Sequence, residues 1–404
     1  MNILFLHRNF PAQFRHIVQD LARDPENKVV FITNNDSVTI NGVNKIVYKL
    51  KREVPQDCHK YLKFYEESII HGQSAAEAAL ALKAHGFIPD VIYGHTWGPT
   101  MFMKDIFPDV PLICYFEWFY NSDGADVGFD GNKPNEDTRA KLRTKNSHLL
   151  VDLYSCDVGL SPTNWQKSQF PKEYQDKITV LHDGVDTDAC KPDSDAKFLI
   201  KDKNIELSLS DEVITYATRG MEPYRGFPEF MKAAEVILKK RPNAQIVIAG
   251  EDRVCYGAKL ANMTFKDLML KKLDLDMDRI HFVGGLPFNE YIKLLQVSSA
   301  HVYLTYPFVL SWSLLDAMSC GCCIVASSTP PVLEVMKDNY NGLLVDFYDV
   351  DKLISKIEYA LDNKNNLSYI RHNARQTIVD NYALNDLLPK HIDFLKNAEL
   401  RKHT

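Results

Sequence analysis

Arg219 and Arg225 flank a glycine-containing turn, T-R-G-M-E-P-Y-R-G, between a β-rich run at 213–217 and a helical pattern at 227–238. A guanidinium presents a planar fork of N–H donors that meets a phosphate with two hydrogen bonds, which suits a pyrophosphate held at a strand-to-helix junction. Surface arginines balanced by an acid such as Glu222 are the other reading of the same residues. Downstream, Ser311, Trp312 and Ser313 open a helix after a short apolar run at 301–305; Leu314, Leu315 and Met318 share one side and Gly321 ends it. A strand at 322–326 and a helix opened by Ser328-Thr329-Pro330-Pro331 repeat the arrangement. Two helix N-termini after two strands aim backbone N–H groups at one edge of a parallel sheet, where doubly wound folds hold anions. Asp316 lies one turn into the first helix and Glu334 has a similar place in the second. A carboxylate at Asp316 can meet a ribose whose phosphates sit at that helix's N-terminus.

The elements that must position these residues alternate in type. In the first half, strands are expected at 2–6, 28–33, 44–50, 90–93, 111–116, 157–161 and 178–181, with helices at 12–23, 57–85 and around 99–106. Such alternation predicts α/β architecture, a parallel sheet with ligand loops at the strands' C-terminal ends. Those loops read His7-Arg8-Asn9-Phe10, Gly94-His95-Thr96-Trp97, Glu117-Trp118-Phe119-Tyr120 and Pro162-Thr163-Asn164-Trp165. Aromatic and polar side chains together suit sugar rings, which offer an apolar face and many hydroxyls. Core or rim packing is the alternative for Trp97, Trp118 and Trp165. No G-x-G-x-x-G follows the first strand, and neither a Walker A sequence nor H-E-x-x-H occurs.

Leu181-His-Asp-Gly-Val-Asp-Thr187 carries turn residues after a strand and marks a linker. Residues 191–210 are polar and read as an irregular surface connection. Strands at 213–217, 244–249, 280–283, 301–305, 322–326 and 341–345 follow, with helices from 351 onward. The expected domains are 1–183, 184–375 and a helical segment 376–404 that crosses back to the first.

A chain of 404 residues has room for two cores, and its 45% hydrophobic and 25% charged content is that of a globular protein. The net charge of -6 argues against general nucleic-acid binding. The first residues are too short and too polar afterwards for a signal peptide, and no apolar run nears the ~18 residues of a membrane span. Eight scattered cysteines fit a reduced, cytoplasmic protein. The C-x-x-C at Cys320–Cys323 follows a helix end rather than opening a helix, the wrong polarity for a redox pair. Two basic clusters, Lys45, Lys49, Lys51 and Arg52, then Arg139, Lys141, Arg143 and Lys145, are candidates for weak peripheral membrane contact, with solvated faces as the plainer account.

Leu315-Asp316-Ala317-Met318-Ser319-Cys320-Gly321 resembles the Leu-Glu-Ala-Met-Ala-Cys-Gly motif of the family-4 retaining glycosyltransferases. H-R-N-F-P-A-Q-F-R-H, D-V-I-Y-G-H-T-W, G-A-D-V-G-F-D and S-P-T-N-W-Q extend the likeness through the first half. The resemblance implies the GT-B fold, two Rossmann-like doubly wound domains facing across a cleft. It implies that Arg219 and Arg225 hold a donor diphosphate, both being arginine where the family has Arg and Lys. Gly284, in the loop Gly284-Gly285-Leu286-Pro287, would lie against the nucleotide base, with Asp316 on the ribose and Ser311, Trp312, Ser313 and Leu314 at the helix N-terminus. His95 matches the acceptor-domain histidine near the donor sugar. The implied activity is metal-independent transfer, with retention, of a hexose or 6-deoxyhexose from a GDP- or UDP-linked donor to a hydroxyl of a glycan or glycolipid; no cofactor beyond the donor is required. Phe308 occupies the position of the first Glu of the family pattern Glu-Gly-Phe-Gly, a departure that favours the alternative of a catalytically inactive nucleotide-sugar-binding protein.

Overall fold

Runs of apolar β-formers that can be covered on both faces become parallel strands, because each crossover helix shields one face. In the computed structural model, which describes residues 1–398, this happens twice. The first sheet comprises β1 (Asn2–Leu6), β2 (Lys28–Thr33), β3 (Val43–Val47), β4 (Val91–His95), β5 (Leu112–Tyr115), β6 (Val158–Ser161) and β7 (Ile178–Val180). Its order is β3-β2-β1-β4-β5-β6-β7, parallel throughout. One face packs Leu4, Val30, Ile92 and Leu112; the other packs Ile3, Phe5, Phe31 and Tyr93.

After β8 (Lys197–Ile200) and β9 (Ile205–Ser208), the second sheet contains β10 (Glu212–Gly220), β11 (Ala244–Glu251), β12 (Ile280–Gly284), β13 (Ala300–Tyr303), β14 (Ile324–Ser327) and β15 (Leu343–Val345). Its order is β12-β11-β10-β13-β14-β15, again parallel. In each sheet the winding reverses beside the first long strand, at β1/β4 and at β10/β13. Loops leaving those two strands diverge and open a crevice at their C-terminal ends.

The chain forms two units, Met1–Gly184 with the chain from Asn385, and Val185–Leu384. The return therefore comes later than an expected boundary at 376. The helix Ser368–Tyr382 belongs to the second unit because Ala374 and Ile378 are buried against Leu314, Leu315 and Met318. In the helix Leu384–Lys396, Phe394 and Leu395 join the core around Ile3 and Phe5.

Other expectations change locally. Residues 191–210, read as irregular, contain the antiparallel pair β8–β9, whose Phe198, Ile200 and Leu207 point into a core with Val213 and Val247. The helix expected at 12–23 splits into a 3-10 turn, Ala12–Phe14, and the α-helix Arg15–Leu21. The long helix starts at Lys63 rather than 57. Among the described residues no helix is long and apolar enough to cross a membrane, and all eight cysteines are free thiols.

Candidate functional site

Arg225 ends a one-turn 3-10 helix, Pro223–Arg225, and Gly226 turns the chain into the helix Phe227–Lys240. Gly226 has φ +67, and a Cβ there would lie 2.4 Å from the Cβ of Leu304, so only glycine passes this corner without strain. The turn drives Arg225 inward, to 8% exposure. Its Nη1 donates to Thr305 Oγ1 (2.8 Å), Val309 O (3.1 Å) and Tyr303 Oη (3.4 Å), while Tyr216 Oη donates to the Arg225 carbonyl (2.7 Å). All three acceptors of the guanidinium are neutral. Among the described residues no carboxylate pairs with it, and Nε and Nη2 donate to no protein acceptor. Burial opposes its charge, but Tyr303, Tyr256 and Glu222 together raise its pKa, Glu222 acting through its field without a salt bridge, so Arg225 is held as a cation whose remaining donors an anion can take.

Beside it lies a small cavity open to solvent, lined by Thr218, Arg225, Tyr303, Ser311 and Ser313 among others. Ser311 caps the helix Trp312–Ser319: its Oγ accepts the Ser313 N–H (3.3 Å) while its own N–H donates to Tyr303 Oη (3.0 Å). Backbone N–H groups of Val309 and Leu310 donate to no acceptor among the described residues. A guanidinium, two hydroxyls and a helix N-terminus thus converge at the point where β10 and β13 diverge.

The other expected residues take separate places. Arg219 lies exposed near the end of β10, within a bulge between Ala217 and Gly220, and does not line that cavity. Gly284 closes β12 at φ +69, two strands away from β10. Leu314 is core, and Trp312 is 47% exposed. Asp316 turns toward the helix Phe288–Gln296, where Tyr291 Oη donates to it (3.4 Å) and the Cys190 thiol lies 3.8 Å away. Burial pushes its pKa up to about 7. Glu334, expected inside a helix, caps the single turn Pro330–Leu333 instead. Glu222 forms no salt bridge with either arginine, although its field reaches both; its Oε2 accepts the backbone N–H groups of Cys255 and Tyr256. Tyr303 and Thr305, which hold Arg225, read in the sequence only as strand residues; their i, i+2 spacing at the end of an apolar run is the signal that marks them.

Phe308 is buried in rings, edge-on to Tyr224 (5.5 Å) and Tyr256 (5.0 Å), with Tyr306 stacked on Tyr224 (4.7 Å). The Tyr256 ring centroid also lies 5.4 Å from the Arg225 guanidinium carbon.

In the N-terminal unit the loops after β1 and β4 meet. His95, 1% exposed, packs against the rings of His7 (4.6 Å), Trp97 (4.6 Å) and Tyr115 (5.4 Å), with Glu117 Oε2 3.7 Å from its Nε2. Burial drives its pKa well below the ordinary histidine value and lowers that of His7 to about 3, so both rings are neutral at physiological pH. Arg8 ties the loops together through Trp97 O, Glu67 and Ser68. Thr163, expected on a ligand loop, caps the helix Asn164–Ser168, and Trp118 is buried beside Trp165. In the basic clusters most cations are already matched: Lys45 with Asp36, Lys51 with Glu77, Arg52 with Glu66, Arg139 with Asp123 and Lys141 with Asp137.

Comparison with known proteins matches residues 25–190 to the glycosyl transferase family 4 group and residues 200–377 to the glycosyl transferases group 1. An uncharacterized glycosyltransferase of Methanocaldococcus jannaschii is 27% identical over 183 residues, 45% of this chain and 44% of that protein. The UDP-Gal:alpha-D-GlcNAc-diphosphoundecaprenol alpha-1,3-galactosyltransferase of Escherichia coli is 25% identical over 223 residues, 55% of this chain and 53% of that protein. The aligned stretches thus span about half the length of these curated relatives. The crystal structure of Anabaena HepE in complex with UDP-glucose superposes with a TM-score of 0.70 at 14% identity, covering 98% of this chain and 100% of that one. That likeness shows the fold, GT-B with two Rossmann-like doubly wound sheets. With both halves matched in order and the sheets wound accordingly, the chain belongs to the group 1 glycosyl transferases of the family 4 type.

Proposed function

We propose that this protein is a glycosyltransferase that binds a nucleoside-diphosphate sugar in the unit Val185–Leu384 and takes a hydroxyl-bearing glycan or glycolipid acceptor in the N-terminal unit. The observation that carries the reading is Arg225, a buried guanidinium with no carboxylate partner among the described residues, beside a serine-capped helix N-terminus. A diphosphate can take the remaining donors of this guanidinium, and as leaving group it gains charge when the glycosidic bond breaks. Arg225, joined by Arg219 from the strand end, then stabilises the transition state more than the ground state. This electrostatic role requires no metal ion.

In the proposed reaction the bond between the anomeric carbon and the phosphate oxygen breaks. The acceptor oxygen bonds to that carbon from the same side, and its proton passes to the departing phosphate. Configuration is retained and no protein nucleophile is used. Asp316 is assigned to the ribose, the Gly284 loop to the base, and His95 to the packed centre of the acceptor unit's loops. The donor is a UDP- or GDP-linked hexose or 6-deoxyhexose. UDP is favoured by the UDP-Gal of the Escherichia coli relative's name and the UDP-glucose bound to HepE. The diphosphoundecaprenol in the former supports a lipid-linked acceptor met at a membrane surface by a cytoplasmic protein.

Phe308 favours one second reading, a protein that binds the donor without transferring it. Incubation with UDP-, GDP- and dTDP-sugars and a panel of acceptors, read by NMR of the anomeric proton, tests both. Transfer with retention is expected; an inverted product overturns the mechanism, and donor binding without turnover on any acceptor supports the binding protein.

A further inference from the structure

The loop that follows β11 is held against the Arg225 site more firmly than a surface connection requires. Glu222, fully buried, accepts the N–H groups of Cys255 and Tyr256 with one oxygen. Two glycines permit the approach. A Cβ at Gly220 would lie 2.7 Å from Arg253 O and 3.0 Å from Cys255 Sγ; one at Gly257 would touch the Tyr224 ring at 3.1 Å. The result sets the half-buried ring of Tyr256 near the Arg225 guanidinium and against Phe308. A buried carboxylate spent on positioning a loop marks that loop as part of a built site.

We infer that Tyr256 is a specificity-determining residue of the donor site, contacting the sugar rather than the nucleotide. The inference rests on the donor reading above. With the diphosphate at Arg225 and Ser311, the helix that continues to Asp316 takes the nucleoside side. The sugar is left the other side of the guanidinium, where Phe308 offers no hydrogen-bond acceptor and Tyr224 and Tyr256 supply rings and hydroxyls. Aromatic rings suit the apolar face of a hexose, and a phenol can both donate to and accept from its hydroxyls.

Calorimetry on the full chain with UDP, GDP and dTDP, each against its glucose- or mannose-linked form, separates sugar from nucleotide. For the best donor the wild type is expected to bind the nucleotide sugar more tightly than the bare nucleotide. Tyr256→Ala should lose about tenfold of that increment, roughly the loss of a ring contact with a hydrogen bond, while bare-nucleotide affinity stays within about twofold. Tyr256→Phe, which keeps the ring and guards against a folding defect, should lose about threefold. Equal losses for nucleotide and nucleotide sugar would overturn the inference, since Tyr256 would then act on the phosphate side through Arg225. An unchanged increment in Tyr256→Ala, or none in the wild type, overturns it too and leaves the donor reading standing. If no nucleotide binds the wild type, the donor reading itself falls, and the inference with it.

Discussion

Arg225 carries a charge that neutral oxygens hydrogen-bond through Nη1 and that no salt bridge pairs among the described residues. Arg225→Ala is therefore expected to remove on the order of 3 kcal/mol of transition-state stabilisation, about a hundredfold in kcat/KM measured on the folded protein. Arg219 is exposed, and its field is screened by solvent, so Arg219→Ala should cost closer to tenfold. Near-normal turnover in both single variants would remove the diphosphate assignment. Asp316 makes a second residue-scale prediction through its pKa, raised from 3.8 to about 7 by burial, with Tyr291 and Cys190 facing it. The folded state holds this proton more tightly than the unfolded chain, so the group's contribution to stability falls as pH rises from about 4 to about 7 and stays low above. Asp316→Asn abolishes that dependence, and its melting temperature relative to wild type should be higher at pH 8 than at pH 5. If the carboxylate accepts ribose hydroxyls, nucleotide affinity of the wild type should rise across the same interval and be flat in the variant.

Single elements set where these side chains point. The corner at Gly226 joins the Arg225 turn to the helix Phe227–Lys240 and leaves no room for a Cβ against Leu304. Gly226→Ala should destabilise the protein by about 2 kcal/mol or more, from the left-handed backbone and the clash together, and should lower activity by displacing Arg225. Denaturant unfolding monitored alongside kcat/KM checks both. The β8–β9 hairpin does not line the cavity and serves as a contrast. Phe198→Ala opens the core shared with Val213 and Val247, and its expected cost is about 3–5 kcal/mol in stability. The folded fraction should keep its nucleotide affinity.

For the molecule as a whole, the chain leaves the first unit at Gly184 and completes it from Asn385. Phe394 and Leu395 fill the layer over Ile3, Phe5 and Val29, so the N-terminal sheet depends on residues from the far end of the chain. A chain ending at Leu384 should show a destabilised first unit, seen as an earlier calorimetric transition, while the second unit, whose core around Leu314 and Ile378 is untouched, melts as before. A single unshifted transition would contradict this division.

Period and punctuation along the chain were enough to place most strands and most helices. A parallel strand is a continuous apolar run and its loop begins where polarity returns, so His7, His95 and Gly284 could be located at strand ends from residue order alone. The same local chemistry identified the Ser311 cap and the arginine-bearing turn. What it could not determine was which of these residues share a cavity. Arg219 and Arg225 are neighbours in sequence, yet a bulge in β10 and the left-handed turn at Gly226 send one to the surface and the other inward. Glu222 was available as an ion partner for either and instead grips backbone N–H groups more than thirty residues later, a contact with no signature in sequence order. The β8–β9 hairpin escaped because short alternation inside a polar stretch is a weak signal until a core exists to cover it. The hold on Arg225 by Tyr303 and Thr305, and the rings around Phe308, arise from bringing β10, β13 and two loops to one edge of a sheet. That is a property of strand order, which only tertiary packing decides.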